Sequence, residues 1–193
     1  MKDKAKLLAN VLGEIRVKLD EPLKYHLENA PLGNAEVFYI ATNLKELEQA
    51  LSLAHELEVP FTLVGSGTKM IVTDRGIKGF VIKNRASAVK ISGVKGKVSS
   101  KGIGVDEAMI EVESGASLEK LQDYLKHQGL KQLDFPFLGN STIGGSYASI
   151  PQLQDLTQKI KIWSDRDVFD IDILDFKKDD YIMSIILKIK SAT

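Results

Sequence analysis

The sequence predicts an α+β protein built as two subdomains, the first about residues 1–85 and the second about residues 86–193. Three observations point there. Between Ala35 and Val64 an apolar strand, a capped amphipathic helix and another apolar strand follow one another, a unit that favours parallel pairing. From Ile160 onward the chain is strand-rich, with apolar and polar residues alternating. Between the two regions, Asn84-Arg85-Ala86-Ser87 breaks the apolar rhythm near residues 84–88.

Taken in order, Leu8, Val11, Leu12 and Ile15 recur at helical spacing, so Lys4 to Lys18 reads as an amphipathic helix stopped by Asp20-Glu21-Pro22. Ala35 to Ile40 reads as a strand with buried neighbours. Asn43 precedes Glu46 by three positions, the spacing at which each side chain caps the other's backbone N–H. Leu44, Leu47, Leu51 and Ala54 then form one apolar stripe, Pro60 follows the helix, and Phe61–Val64 is a short buried strand. Phe80–Lys83 and Val89–Ile91 read as further strands, and the glycine-, lysine- and serine-rich stretch from Gly93 to Gly104 as a hairpin or mobile loop. Met109–Glu113 alternates as a strand. Ser117 suits the N-cap of a helix carrying Leu118, Leu121 and Leu125, and Gly129 its C-terminal cap. Ile160–Trp163, Val168–Leu174 and Tyr181–Ile189 read as strands; in the last, Met183, Ile185, Leu187 and Ile189 share one face and Ser184, Lys188 and Lys190 largely the other.

Composition narrows the chemistry. A chain of 193 residues with 26 basic and 26 acidic side chains carries no basic excess, so neither a nucleic acid nor a membrane surface is expected as a partner. There is no cysteine. That removes disulfides, iron–sulfur clusters, thiolate zinc sites and thiol catalysis, and it fits a reducing cytoplasm. The N-terminal apolar run is broken by Asn10 and Glu14, unlike a signal peptide, and no apolar stretch reaches the roughly 18–20 residues that span a bilayer. The expectation is a soluble, cytoplasmic protein.

Two glycine loops stand out. Gly65-Ser66-Gly67-Thr68-Lys69 leaves a buried strand, and small residues there let backbone amides crowd a phosphate oxygen, with the Ser66 and Thr68 hydroxyls as added donors. Met70 stands where both the P-loop and the dinucleotide fingerprint need glycine, so it is neither. By itself the segment reads as a tight strand exit or as a ligand cradle. The second segment, Phe135 to Ser149, contains Gly139-Asn140-Ser141-Thr142-Ile143-Gly144-Gly145. Such a run is costly in backbone entropy and implies either an unusual turn or a ligand pressed against the backbone.

Together the loops resemble a known family. Thr142-Ile143-Gly144-Gly145 followed by small residues is similar to the signature of FAD-binding domains of the p-cresol-methylhydroxylase and vanillyl-alcohol-oxidase type. The order of features before it is most similar to the N-terminal part of UDP-N-acetylenolpyruvoylglucosamine reductase. The likeness runs through Leu23, His26, Leu32-Gly33, Ala35-Glu36, the Leu44–Leu57 helix, Pro60 and the Gly65–Lys69 loop. It continues through Asp74, Gly76, Gly79, Val81-Ile82-Lys83 and Gly115-Ala116. The resemblance implies a two-subdomain fold with FAD between the subdomains. It implies backbone donors from Gly65, Ser66, Gly67, Thr68 and Lys69 on one side and from Asn140, Ser141, Thr142, Ile143, Gly144 and Gly145 on the other. Lys69 departs from the asparagine usual in the reductase, a change that puts a cation beside the pyrophosphate. With no cysteine, and with His26, His55 and His127 outside both loops, the FAD is expected to be non-covalent.

The resemblance does not extend to catalysis. The interval Trp163 to Tyr181 holds only Arg166 and does not match the reductase's arginine motif, and the chain stops after the strand expected to close the FAD domain. A reductase-like flavoprotein lacking the C-terminal substrate domain is therefore expected, its flavin face covered by a partner subunit or by self-association. It would be an oxidoreductase, or the FAD-carrying part of one; a non-catalytic binding or regulatory module is the alternative. Among other residues, Asp170, Asp172, Asp175, Asp179 and Asp180 read more simply as the wet face of a strand than as a cation site. Lys95, Lys97 and Lys101 read as a solvated hairpin tip rather than an anion grip. Trp163 reads as core, His26 as a turn or packing residue, and Tyr147 as either core or a ring that stacks on flavin.

Overall fold

A computed structural model describes residues 2–28, 32–99, 102–135, 139–177 and 180–192. The chain forms two compact units: Met1–Ala86 with Asp165–Asp167, and Ser87–Ser164 with Val168–Thr193.

In the first unit α1 (Lys2–Leu12) is followed by β1 (Lys18–Pro22), β2 (Asn34–Ala41), α2 (Leu44–Glu56), β3 (Phe61–Val64) and β4 (Ile77–Asn84). The sheet order is β1-β2-β4-β3. β2 and β3 both run parallel to β4, which lies between them, while β1 adds an antiparallel edge. Because strand side chains alternate, β2 and β4 are apolar on both faces. Val37, Tyr39, Phe80 and Ile82 share one face, with the Tyr39 and Phe80 rings 6.4 Å apart. Phe38 and Val81 on the other join Leu23, Leu27, Val64 and Val72 in one core cluster. Asn43 caps α2 by accepting from Glu46 N at 3.0 Å, but Glu46 returns its carboxylate to Thr42 N at 2.8 Å rather than to the cap residue.

The expected Lys4–Lys18 helix stops early. Gly13, at φ +102°, ends it, and Gly13 N bonds Ala9 O at 2.8 Å. Ala5, Leu8 and Leu12 face inward, whereas Ile15 is 94% exposed. Asp20-Glu21-Pro22, read as a helix terminator, lies instead in an edge strand, Lys18–Pro22, paired to β2.

The second unit is a five-stranded sheet of order β5-β6-β9-β7-β8, formed by β5 (Val89–Ser99), β6 (Gly102–Glu113), β7 (Thr157–Ser164), β8 (Asp167–Ile171) and β9 (Tyr181–Lys190). The stretch from Gly93 to Gly104 is thus mostly the two arms of an antiparallel hairpin. α3 (Leu118–His127), α4 (Ile143–Ser146) and α5 (Pro151–Leu156) carry the residues that close its core. Ser117 Oγ caps α3 by accepting from Lys120 N at 3.1 Å, and Gly129 ends that helix at φ +66°. β9 is central, so Ser184, placed on its wetter face by alternation, is buried all the same. The expected Val168–Leu174 strand ends at Ile171 and turns into a 3₁₀ segment, Ile173–Asp175, leaving Leu174 fully exposed.

Candidate functional site

Each unit contains one glycine loop. In the first, β3 delivers the chain into Gly65–Lys69 at the C-terminal end of the parallel strands. The loop is held by its carbonyls: Ser66 O accepts from Glu28 N and Gly67 O from Met70 N, both at 3.1 Å. Its hydroxyls sit together, Ser66 Oγ and Thr68 Oγ1 being 3.3 Å apart. The amides of Gly65, Ser66 and Gly67 meet no acceptor among the described residues. Consecutive backbone N–H groups left in this way form the kind of concavity that takes an anion. Gly67 itself is fixed by packing: its φ is +82°, and a Cβ there would stand 2.7 Å from Leu27 Cβ.

In the second loop Thr142 caps the short helix α4, its Oγ1 accepting from Gly145 N at 3.3 Å. Leu118 N donates to Ser141 O, Ile143 N to Ala116 O and Gly144 N to Ser114 O, at 2.9, 2.8 and 2.8 Å. The Ile143 and Gly144 amides, expected as ligand donors, are therefore already bonded within the unit. Those of Asn140 and Thr142 have no acceptor among the described residues. The glycine pair divides its work. A Cβ on Gly144 would press on Ser114 Cβ at 3.1 Å, so this glycine serves internal packing. A Cβ on Gly145 would meet only Thr142 Oγ1, at 3.2 Å. Gly145 is helical rather than left-handed, so conformation does not demand glycine there. Ser146 Oγ, next along, is buried with no hydrogen-bond partner among the described residues.

Lys69 is exposed, but Lys83 is half-buried. Lys83 pairs in register with Val64, the last strand residue before the first loop, and its Nζ donates to His26 O. Burial, and secondly the charge of Arg85, lower its pKa, with Glu28 opposing. Sequence reasoning used Lys83 as the end of a strand and in the family likeness, not as a site residue; a lysine directly after the apolar run Phe80-Val81-Ile82 was the signal.

Of the remaining candidates, Tyr147, Trp163 and His26 take the plainer readings. Tyr147 is buried and meets Phe176 edge-on at 5.4 Å, so it is core and not a ring offered to flavin; burial raises its pKa. Trp163 is core against Tyr181. His26 stacks on Phe38 at 4.2 Å and bonds Glu21 at 2.8 Å. His55 Nδ1 accepts from Arg166 at 3.0 Å and His127 bonds Asp123 O at 2.6 Å. Among the described residues no three His, Asp or Glu side chains gather as a metal site; Asp179 lies outside them. Lys95 is exposed on β5, Lys97 lies on the same strand, and Lys101 lies outside the described residues. No described helix is long and apolar enough to cross a membrane.

The chain is similar to known proteins. The model of a family described as FAD binding domain matches residues 35–149. UDP-N-acetylenolpyruvoylglucosamine reductase 2 of Bacillus cereus is 30% identical over 146 residues, covering 76% of this chain and 44% of that protein. The reductase of Alkaliphilus oremlandii is 30% identical over 141 residues, 73% of this chain and 42% of its own. The chain thus spans less than half the length of these curated relatives. Among solved structures, Phl p 4.0202, a glucose dehydrogenase, covers 98% of this chain at a TM-score of 0.74 and 12% identity, over 44% of its own length. Substrate-bound p-cresol methylhydroxylase covers 98% at 0.63 and 12% identity, over 43% of its length. The Thermus caldophilus reductase covers 92% at 0.61 and 17% identity, over 62% of its length. At these identities the likeness shows the fold.

Proposed function

This chain belongs to the FAD binding domain family, and we propose that it is the FAD-carrying part of a flavin-dependent oxidoreductase related to UDP-N-acetylenolpyruvoylglucosamine reductase. The observation that carries the reading is the first loop, whose Gly65, Ser66 and Gly67 amides meet no acceptor among the described residues. The residues present fit the cofactor. Backbone N–H groups that find no partner in the fold cost free energy unless something accepts from them, and a diphosphate is such an acceptor.

In this reading the Gly65–Gly67 amides bind the diphosphate, the Ser66 and Thr68 hydroxyls add donors, and Lys69 adds charge from the rim. The second loop adds the Asn140 and Thr142 amides, with Ser141 beside them. Ile143 and Gly144 set the loop's shape through their bonds to Ala116 and Ser114, and Gly145 leaves room on its Cβ side for the cofactor. When bound, FAD supplies the redox chemistry, accepting a hydride and passing electrons on. Attachment is non-covalent, because there is no cysteine and each histidine is engaged with a neighbour elsewhere in the fold. A partner chain or a second copy covers the flavin face, and a cytoplasmic setting accompanies the reading.

The test is the spectrum of the purified chain. It is expected to be yellow, to release FAD intact on heating or acidification, and to take it up again. Protein that is colourless and takes up no added FAD would overturn the reading. Reduction of the bound flavin by NADH or NADPH would separate an oxidoreductase from a binding module.

A further inference from the structure

We propose that Lys83 is the half-buried cation of the cofactor's diphosphate site, bonded to the segment that holds the Gly65–Lys69 loop and acting with the loop amides. This rests on the FAD reading above and adds to it a residue outside both glycine loops.

The placement comes from four observations. Lys83 is the register partner of Val64, immediately before the loop. It lies two positions after Val81, so its side chain leaves β4 on the face of the Leu23, Leu27 and Phe38 cluster. Its ammonium donates to His26 O. The residues after His26 are the ones that hold the loop: Leu27 fills the space where Gly67 lacks a Cβ, and Glu28 N bonds Ser66 O at 3.1 Å. Lys83 therefore ties the end of β4 to the 26–28 segment, which in turn holds the loop.

The energetics say what such a lysine is for. Its side chain is partly removed from water, yet among the described residues it makes no ion pair with a carboxylate within 4.0 Å. Its ammonium donates to a neutral carbonyl, and the repulsion from Arg85 outweighs the attraction of Glu28, which forms no ion pair with it. A half-buried charge without a counterion is unfavourable, and a structural role would be served as well by an apolar side chain. With a row of unbonded amides in the loop that the 26–28 segment holds, the counterion that completes the site is an anion bound there. Lys69 cannot substitute, because it is exposed and its field is screened by water and salt.

The experiment is a fluorescence titration of the chain with FAD and, separately, with riboflavin, which has the flavin ring but no phosphate. Lys83→Met should raise the Kd for FAD at least tenfold and that for riboflavin less than twofold, and Lys83→Arg should restore most of the FAD affinity. An unchanged FAD affinity in Lys83→Met overturns the proposal. So does an equal loss of both ligands, which would make Lys83 only a prop for the loop. Should Lys83→Met fail to fold by circular dichroism, Lys83→Gln decides, since it keeps most of the length and a donor for His26 O but not the charge. FAD affinity should still fall at least several-fold while riboflavin affinity holds; an unchanged FAD affinity overturns the proposal. If the unaltered chain binds riboflavin and FAD equally well, the cation proposal fails while flavin binding stands. If it binds neither, the FAD reading falls and this proposal falls with it.

Discussion

Glu46 accepts from Arg16 through both carboxylate oxygens, at 3.0 and 2.7 Å, and from the Thr42 amide and hydroxyl, both at 2.8 Å. Arg16 also lies over the Tyr39 ring at 4.9 Å and donates to Ile40 O, so one pair fastens the turn after α1 to the end of β2. The Arg16 bonds, then those from Thr42, hold the Glu46 carboxyl at about 2, below its ordinary 4.5. A depressed carboxylate contributes stability that is present above its unfolded pKa and lost as pH falls toward the folded one. Glu46→Gln should therefore cost stability at neutral pH, and the deficit should close between about pH 4.5 and pH 2. Because the Arg16 side chain is 41% exposed, water screens the pair, and the cost should be nearer about 1 kcal/mol than the full worth of a buried pair. Urea titrations of both chains across that range would show it, and a pH-independent difference would refute it. At Gly145 the helical backbone leaves only the steric part of the case for glycine. Gly145→Val should fold normally and lose at least tenfold in FAD affinity, which needs only about 1.4 kcal/mol. A folded variant that binds FAD like the parent would mean that the cofactor lies elsewhere.

The elements that were legible in sequence are those whose signal is local. Ser117 and Asn43 cap their helices because the donor is three residues away, and Phe61–Val64 reads as a strand from four residues alone. The Lys4–Lys18 helix was misread because Gly13 ends it, while the apolar Ile15, counted into the stripe, faces water. The order β1-β2-β4-β3 was not legible, since β4, the next strand after β3, enters between β2 and β3 and the residues of a strand do not say which neighbour it takes. That arrangement makes one testable demand at the start of β4. Gly79 has φ +81°, and a Cβ there would stand 2.2 Å from Pro60 O, the acceptor for Phe80 N at 2.9 Å. Gly79→Ala combines a left-handed penalty of about 1–2 kcal/mol with the displacement of that bond. It should destabilise the first unit by at least about 2 kcal/mol in urea denaturation. A near-neutral result would mean that the β3–β4 pairing can shift to absorb the methyl.

For the molecule as a whole, the two glycine loops were legible as loops but their amides were not, because each partner is set by a distant residue. Ser114 and Ala116 occupy the amides of Gly144 and Ile143, while nothing described occupies those of Gly65, Ser66, Gly67, Asn140 and Thr142. This division predicts a pattern in amide hydrogen exchange. Amides already bonded inside a unit are protected by the fold, and a ligand slows them further only as far as it stabilises that unit against opening. Amides that bond the ligand directly pass from unprotected to protected on binding. Addition of FAD should therefore slow exchange most at 65–67 in the first unit and at Asn140 and Thr142 in the second. Ile143 and Gly144, slow beforehand, should change only with their unit as a whole. At a hundred times its Kd a ligand adds about 2.7 kcal/mol to whatever it binds, which bounds that general slowing at roughly a hundredfold. Protection confined to the first unit would leave the second loop a structural turn. Large new protection at Ile143 and Gly144 would mean that α4 exchanges its bonds to Ser114 and Ala116 for bonds to the cofactor.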